Sequence, residues 1–278
     1  RAVLGDRVFA TLGGRIEHNA SFGTRVVPRT ALALRLRGGE DATTVRASAG
    51  TGIKEPTFLE SFGVSQYARG NPDLRPEQSR TYDLGLEQRL FRGRLKAEAS
   101  LFHHQYRDQI AYQVLDYTTF AGSFANVGQA RARGLELSLE AVPVAHLGLS
   151  AQYTFLDSEV QVSTSAFAPI YEVGRPLLRR PRHQGSLSAR WSGGRVSGGA
   201  TLVVVGKRAD SDFLGLGLEE NDGHRRLDTR LRVRLVPRLE AFLVAENLLD
   251  GQYQDVLGYP ALGRSLRAGL RFRSGGRR

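Results

Sequence analysis

The sequence predicts an all-β chain: an antiparallel transmembrane β-barrel portion of about twelve strands. Three observations carry this. Apolar side chains recur at every second position, as in Leu266, Ala268, Leu270 and Phe272 set against Ser265, Arg267, Gly269 and Arg271. The links between such segments alternate between short and long. The segments run well past the roughly 5–6 residues usual in globular strands, towards the 9–11 or so that a tilted membrane crossing needs. A period of two sets one face of each strand against an apolar medium and the other against water.

Taken in order, the first segment spans 6–17 and is followed by a longer link at 18–28. The second, 29–38, turns at Gly38-Gly39-Glu40-Asp41 into the third, 43–51. A long link at 52–78 leads to the fourth, 79–90, where Tyr82, Leu84, Leu86 and Leu90 alternate with Asp83, Gly85, Glu87 and Arg89. Phe91-Arg92-Gly93 turns into the fifth, 94–107, where Leu95, Ala97, Ala99 and Leu101 alternate with Lys96, Glu98 and Ser100. A link at 108–124 precedes the sixth, 125–141, with Leu135, Leu137 and Leu139 against Glu136, Ser138 and Glu140. Val142-Pro143-Val144-Ala145 leads to the seventh, 146–158, and the link 159–181 to the eighth, 182–192. Ser192-Gly193-Gly194 opens the ninth, 195–207, and 208–223 joins it to the tenth, 224–235. There Leu227, Leu231, Val233 and Leu235 alternate with Asp228, Arg230, Arg232 and Arg234. Val236-Pro237 turns into the eleventh, 238–248, and 249–263 leads to the last, 264–273.

Gly and Pro in the short links supply the backbone angles of tight hairpins. Because short and long links alternate, all the long loops lie at one rim, which in bacterial barrels is extracellular. Charges repeated along one face suit a wet lumen, and apolar residues on the other suit lipid. The strand-end aromatics Phe102, Tyr106, Tyr153, Phe155 and Trp191 fit an interface girdle or ordinary packing.

Composition agrees with this. The 278 residues are 41% hydrophobic with a mean hydropathy of −0.30. No stretch approaches the roughly 18 consecutive apolar residues of a spanning helix, whereas alternating strands keep the mean low. There is no cysteine, hence neither a disulfide framework nor a cysteine metal site. The net charge of +11 raises nucleic-acid binding, but only Lys54, Lys96 and Lys207 are lysines and the arginines are scattered along strands and turns. A phosphate footprint needs clustered charge, so no nucleic-acid partner is expected. The chain opens at Arg1 with no basic or apolar export signal, so an exported protein is expected to extend upstream of it.

Two local motifs go beyond periodicity. The first is Gly52-Ile53-Lys54-Glu55-Pro56-Thr57-Phe58, then Gly70-Asn71-Pro72-Asp73-Leu74-Arg75-Pro76-Glu77 before a strand. The second is Glu246-Asn247-Leu248-Leu249-Asp250-Gly251-Gln252-Tyr253, then Gly258-Tyr259-Pro260 and Gly263-Arg264 before the last strand. Their prolines fix turns and remove backbone donors, and their Asn and Asp residues suit side-chain-capped turns. An architectural role is therefore expected for the individual residues. Together, over essentially the whole chain, the motifs resemble the barrel of TonB-dependent outer-membrane receptors.

That resemblance implies that residues 1–278 are the C-terminal portion of a barrel of roughly 22 strands, without its plug domain. It implies a protein of the Gram-negative outer membrane, in contact with outer-membrane lipid. It implies active uptake of a metal chelate (a ferric siderophore or haem) or cobalamin, driven by the inner-membrane TonB energy-coupling complex through an N-terminal region outside this chain. The Gly258-to-Arg264 segment is similar to the cobalamin-receptor branch. A passive porin-type channel is the alternative.

For ligand contact the candidates are Tyr112, Tyr117, Phe120 and Phe124 in one long loop and Tyr171 and Arg175 in another, suited to an aromatic or anionic ligand. No enzyme activity, cofactor or metal site is expected. His103 and His104 are adjacent in a strand and so point to opposite faces. The Gly193-Gly194 and Gly198-Gly199 pairs lack the strand-to-helix context of a phosphate loop.

Overall fold

A computed structural model describes residues 2–116, 118–165, 171–211 and 217–273. The strands are β1 (Ala2–Leu4), β2 (Val8–Asn19), β3 (Gly23–Arg37), β4 (Thr43–Lys54), β5 (Ala68–Arg69), β6 (Glu77–Leu90), β7 (Leu95–Asp116), β8 (Ala121–Val144) and β9 (Leu147–Ser163). They continue as β10 (His183–Gly193), β11 (Val196–Val205), β12 (Arg208–Ser211), β13 (Leu218–Asn221), β14 (His224–Val236), β15 (Leu239–Glu246), β16 (Gln254–Val256), β17 (Tyr259–Pro260) and β18 (Ser265–Phe272). One sheet runs β1-β2-β3-β4-β6-β7-β8-β9-β10-β11-β14-β15-β18, every neighbour antiparallel. Twelve of its strands are the predicted ones; β1 is a short addition. Among the described residues its two outer strands, β1 and β18, do not pair with each other.

The registers show how the alternation is used. One row across the wall reads Ala47, Leu84, Leu101, Leu135, Phe155, and the next residue on each strand belongs to the opposite face. Leu12, Leu84, Leu101, Leu187, Leu266 and Leu270 are all exposed, the last at 66%. Buried apolar residues are few: Leu74, Val127, Ala130, Ala132, Val160 and Ala245. A soluble protein would hide such leucines; a membrane wall presents them to lipid. The other face carries paired charges. Arg46 Nη2 donates to Glu87 Oε2 at 2.6 Å, Arg89 Nε to Glu87 Oε1 at 3.0 Å, and Ser48 Oγ to Asp83 Oδ2 at 2.8 Å.

Three predicted links are corrected. The one at 18–28 is a tight turn, because the β2–β3 ladder continues through His18↔Thr24 to Asn19↔Gly23, and Gly23 adopts φ +72. Pro28 sits inside β3, not in a loop. The ladder to β4 stops at the adjacent Arg29↔Gly50 pair, where a missing N–H costs nothing. The link at 108–124 is mostly strand, since β7 runs to Asp116 and β8 starts at Ala121. Shifts in register near Tyr106, Gln109 and Val114 break the period of two there. Finally, β9 reaches Ser163.

The remaining long links carry small elements. Helix α1 (Phe58–Phe62) follows β4, with a capping box in which Thr57 Oγ1 accepts from Glu60 N at 3.2 Å and Glu60 Oε2 accepts from Thr57 N at 2.7 Å. Strand β5 pairs parallel with β8 through Ala68↔Gly122 and Arg69↔Ser123. The pairs β12–β13 and β16–β17 form two small sheets of their own, joined where Arg208 Nη2 donates to the Gln254 carbonyl at 2.7 Å.

Candidate functional site

The first motif is a strap over the top of β7–β8. Asn71 Oδ1 accepts from Asp73 N at 3.0 Å, closing an Asx turn, while its Nδ2 donates to the Phe124 carbonyl at 3.0 Å. Pro72 is exposed at the outside of that turn, whereas Leu74 and Pro76 are buried beneath it. Glu77 Oε1 accepts from Ile110 N at 3.0 Å and from Lys54 Nζ at 3.2 Å, joining both ends of the link. Pro56 precedes the Thr57 cap, and Phe58 leans on Phe62 with ring centroids 5.5 Å apart. Asn126, which the sequence reading passed over, treats Arg75 as a strand neighbour would: Oδ1 accepts from its N–H and Nδ2 donates to its carbonyl, both at 2.9 Å.

Tyr112 and Phe124 are corrected from loop to strand. They are cross-strand partners on β7 and β8, with rings 5.5 Å apart at 68°. The Tyr112 hydroxyl shares its one proton between the carbonyls of Tyr67 and Phe120, the latter at 2.9 Å, so it is engaged in holding the strap. Phe120 lies in the hairpin turn with φ +55 and is partly exposed. Tyr117 lies outside the described residues. In the other loop Tyr171 is half-buried, and burial pushes its phenol pKa up. Arg175 Nε donates to Glu172 Oε2 at 2.8 Å. Three of the six candidates thus gather at one hairpin, and two stand in a separate loop.

The second motif builds a corresponding lock at the other end of the rim. Asn247, at φ +50, donates from Nδ2 to the carbonyls of Gly251 (2.9 Å) and Leu262 (3.2 Å), and its N–H donates to Asp228 Oδ1. Leu248 N donates to the Leu227 carbonyl at 2.8 Å. Asp250 accepts from the Arg264 N–H at 2.9 Å and faces the Arg264 guanidinium at 3.2 Å; that backbone bond, then the guanidinium, holds its carboxyl below the usual range. A side chain at Gly263 would sit 3.4 Å from the same carboxylate, and Gly258, at φ +86, makes the turn before the exposed Tyr259. Tyr253 stacks on His224 with centroids 3.9 Å apart, and its hydroxyl accepts from Arg226 Nη1 at 3.3 Å.

Asp210 ties three loops together. Its fully buried carboxylate accepts from Arg179 Nε and Ser211 N on one oxygen, and from Asn221 Nδ2 and Leu257 N on the other, at 2.8 to 3.3 Å. Burial opposes the charge, yet these donors bring the pKa down to about 2. The hydrogen bonds of the motif residues and of Asp210 fasten the loops to one another and to the strand ends.

The lumenal face adds what the loop reading missed. On β14 the alternating Arg226, Asp228, Arg230, Arg232 and Arg234 share one face. Arg226 pairs with Asp228 at 3.0 Å; Arg230, Arg232 and Arg234 have no ion-pair partner among the described residues. Arg190 on β10 is likewise unpaired and lies in the same row as Arg230, with Gly199 between them. Arg230 Nε lies over Gly199, 3.8 Å from where a side chain there would begin. The alternation was legible, but nothing in it showed which arginines lack carboxylates. His103 and His104 point apart: His103 meets Gln105 at 3.2 Å, and His104 lies 3.7 Å from Asp83.

A twelve-stranded antiparallel wall, apolar outside and charged inside, with loops strapped down at one rim, defines part of an outer-membrane barrel. Residues 2–248 match the family described as TonB dependent receptor-like, beta-barrel, and the chain belongs to it. It is 27% identical over 223 residues to the iron-regulated outer membrane virulence protein of Vibrio cholerae, covering 73% of this chain and 32% of that protein. The chain therefore spans about a third of the length of the curated relatives it matches.

Among solved structures, it is similar to a variant of the ferric enterobactin receptor PfeA from Pseudomonas aeruginosa in complex with enterobactin, at TM-score 0.75 and 21% identity over 97% of this chain and 44% of that one. It is also similar to the siderophore receptor PirA from Acinetobacter baumannii, at TM-score 0.75 and 17% identity over 97% and 44% of the two chains. These likenesses show the fold. The protein belongs to the Gram-negative outer membrane.

Proposed function

We propose that the whole receptor takes up an anionic ferric chelate, and that this segment, the C-terminal part of its barrel, supplies wall and loops. The observation that carries the reading is the set of unpaired lumenal arginines, Arg190, Arg230, Arg232 and Arg234, in a chain of this family. Fixed guanidinium groups attract the carboxylate, catecholate and hydroxamate oxygens with which iron chelates carry negative charge. Capture falls to the loops, with Phe120, Tyr171 and Arg175 the exposed or half-exposed candidates and Tyr112 and Phe124 supporting the hairpin. Release into the periplasm is driven by TonB through a region outside this segment. The iron and siderophore descriptions of the relatives support a ferric chelate ahead of cobalamin.

The test is uptake by cells carrying the full-length receptor, with ferric enterobactin and cyanocobalamin as alternative probes. Energy-dependent accumulation of iron that falls in an R230Q/R232Q/R234Q variant supports the reading. Accumulation of cobalamin alone overturns it, as does steady ion conductance without energy coupling.

A further inference from the structure

The outer face of β3, β4, β6 and β7 changes character just above its apolar band. On β6 the outward residues from the periplasmic end are Leu90, Gln88, Leu86, Leu84 and Tyr82, and the next two are Arg80 and Gln78. Register places Arg80 beside Thr51 and Gln105, and Gln78 beside Ile53 and Arg107. The same face of β3 adds Thr24 and the exposed Val26. Together with Arg25, Gly52 and Ser79, which reach it where the β3–β4 pairing has ended, these residues line an open groove of about 270 Å³.

Arg80 and Arg107 are both exposed, and neither has an ion-pair partner among the described residues. Their surroundings differ in this respect. One strand further, on the same face, Arg131 lies 3.0 Å from Glu159 and Arg133 lies 2.9 Å from Asp157. Asp108, the carboxylate next to Arg107, is taken by Arg75 at 2.7 Å and by Gln78 at 3.2 Å. Two guanidinium groups are thus left uncompensated, directly above the Tyr82 level and continuous with leucines that face lipid. An unpaired cation at the edge of an apolar phase meets phosphate headgroups there, and guanidinium binds phosphate with two parallel hydrogen bonds. The apolar wall below accepts the acyl chains of the same molecule.

We propose that this groove is a binding site for the phosphorylated headgroup of an outer-leaflet glycolipid, with Arg80 and Arg107 as its clamp and Gln78, Gln105 and Thr51 as neutral partners. Arg80 and Arg107 stand on the outward face, opposite the lumenal arginines of β14, so the clamp is independent of which ligand the receptor imports.

The test uses purified full-length receptor in detergent, with diphosphorylated lipid A, its dephosphorylated form and inorganic phosphate as probes, read by native mass spectrometry. The wild type is expected to retain diphosphorylated lipid A. The R80A/R107A variant is expected to bind it at least about tenfold more weakly, the scale of charge-assisted hydrogen bonds. R80K/R107K, which keeps charge but loses the fork, should fall between them, and R92A in a periplasmic turn should match the wild type. Heat-modifiable gel mobility verifies that each variant is folded. Equal retention by R80A/R107A overturns the proposal. So does equal retention of the dephosphorylated lipid, which would leave only the apolar wall, or displacement by millimolar inorganic phosphate, which would assign the site to a soluble anion.

Discussion

Asn71 Nδ2 donates to the carbonyl of Phe124 at 3.0 Å, a hydrogen bond between residues 53 positions apart. It fastens the long link after β4 to the top of the β7–β8 hairpin, at the point where the Tyr112 hydroxyl closes on the Tyr67 carbonyl. The strap is built from hydrogen bonds to backbone more than from apolar burial. Its strength therefore depends on a few polar side chains.

Asn71→Ala removes the donor to Phe124 and the acceptor for the Asp73 N–H together. Each lost bond costs on the order of 1 kcal/mol, more where a group is left buried and unpaired. The barrel should still assemble, while the link at 55–76 opens more often and is nicked faster by added protease on intact cells. Cleavage at the wild-type rate would show that Leu74 and Pro76 hold the strap without Asn71.

The Asp210 carboxyl sits at about 2 against an ordinary value of 3.8, so its charged form favours the closed loops. For a depressed carboxylate the contribution is fully present above the unfolded value and is lost as pH falls through the folded one, here between about 4 and 2. The depression corresponds to roughly 2 kcal/mol. Protection from hydrogen exchange over 218–221 and 254–257, taken relative to the intrinsic exchange rate at each pH, should be flat from neutral pH to about 4 and should fall below that. Asp210→Asn should show the reduced protection at every pH. A wild-type profile without an acid limb would refute this lock.

The twelve crossings were legible because lipid on one side and water on the other impose a strict period of two, and Gly and Pro mark the short turns. What was not legible follows from the same physics. Above the membrane both faces are wet, so the upper parts of β7 and β8 have no alternation to betray them, and their bulges shift it further. Pro28 reads as a loop residue until the pairing of β3 with β4 is known to end beside it. At the site, the motifs identify turns correctly, yet the partner groups Asn126 and Asp210 are ordinary polar residues in sequence. Which arginines are unpaired depends on contacts across strands, as with Arg230 over Gly199, and no single segment encodes that.

Leu84 faces lipid and Ser100 faces the lumen on neighbouring strands, since Leu84 pairs with Leu101 and Gly85 with Ser100. Arginine placed on the lipid face near mid-depth costs about 2–4 kcal/mol, while lumenal charge is solvated. Leu84→Arg should lower the denaturant midpoint of the full-length receptor in lipid vesicles, and Ser100→Arg should leave it near the wild-type value. The reverse order would mean that the two faces have been assigned the wrong way round.

Gly134 on β8 lies under the ring of Phe102, and a side chain there would approach the ring to 2.7 Å and the Phe155 carbonyl oxygen to 2.0 Å. The aromatic ring covers the glycine from β7, while the backbone of β9 closes in from the other side. Gly134→Ala should therefore strain the β8–β9 ladder by more than the 1–3 kcal/mol or so of ordinary overpacking and reduce the heat-modifiable fraction. Adding Phe102→Ala removes the ring but leaves the carbonyl in place, so the double variant should recover little. Full recovery would show that the ring alone, and not the neighbouring strand, requires glycine at this position.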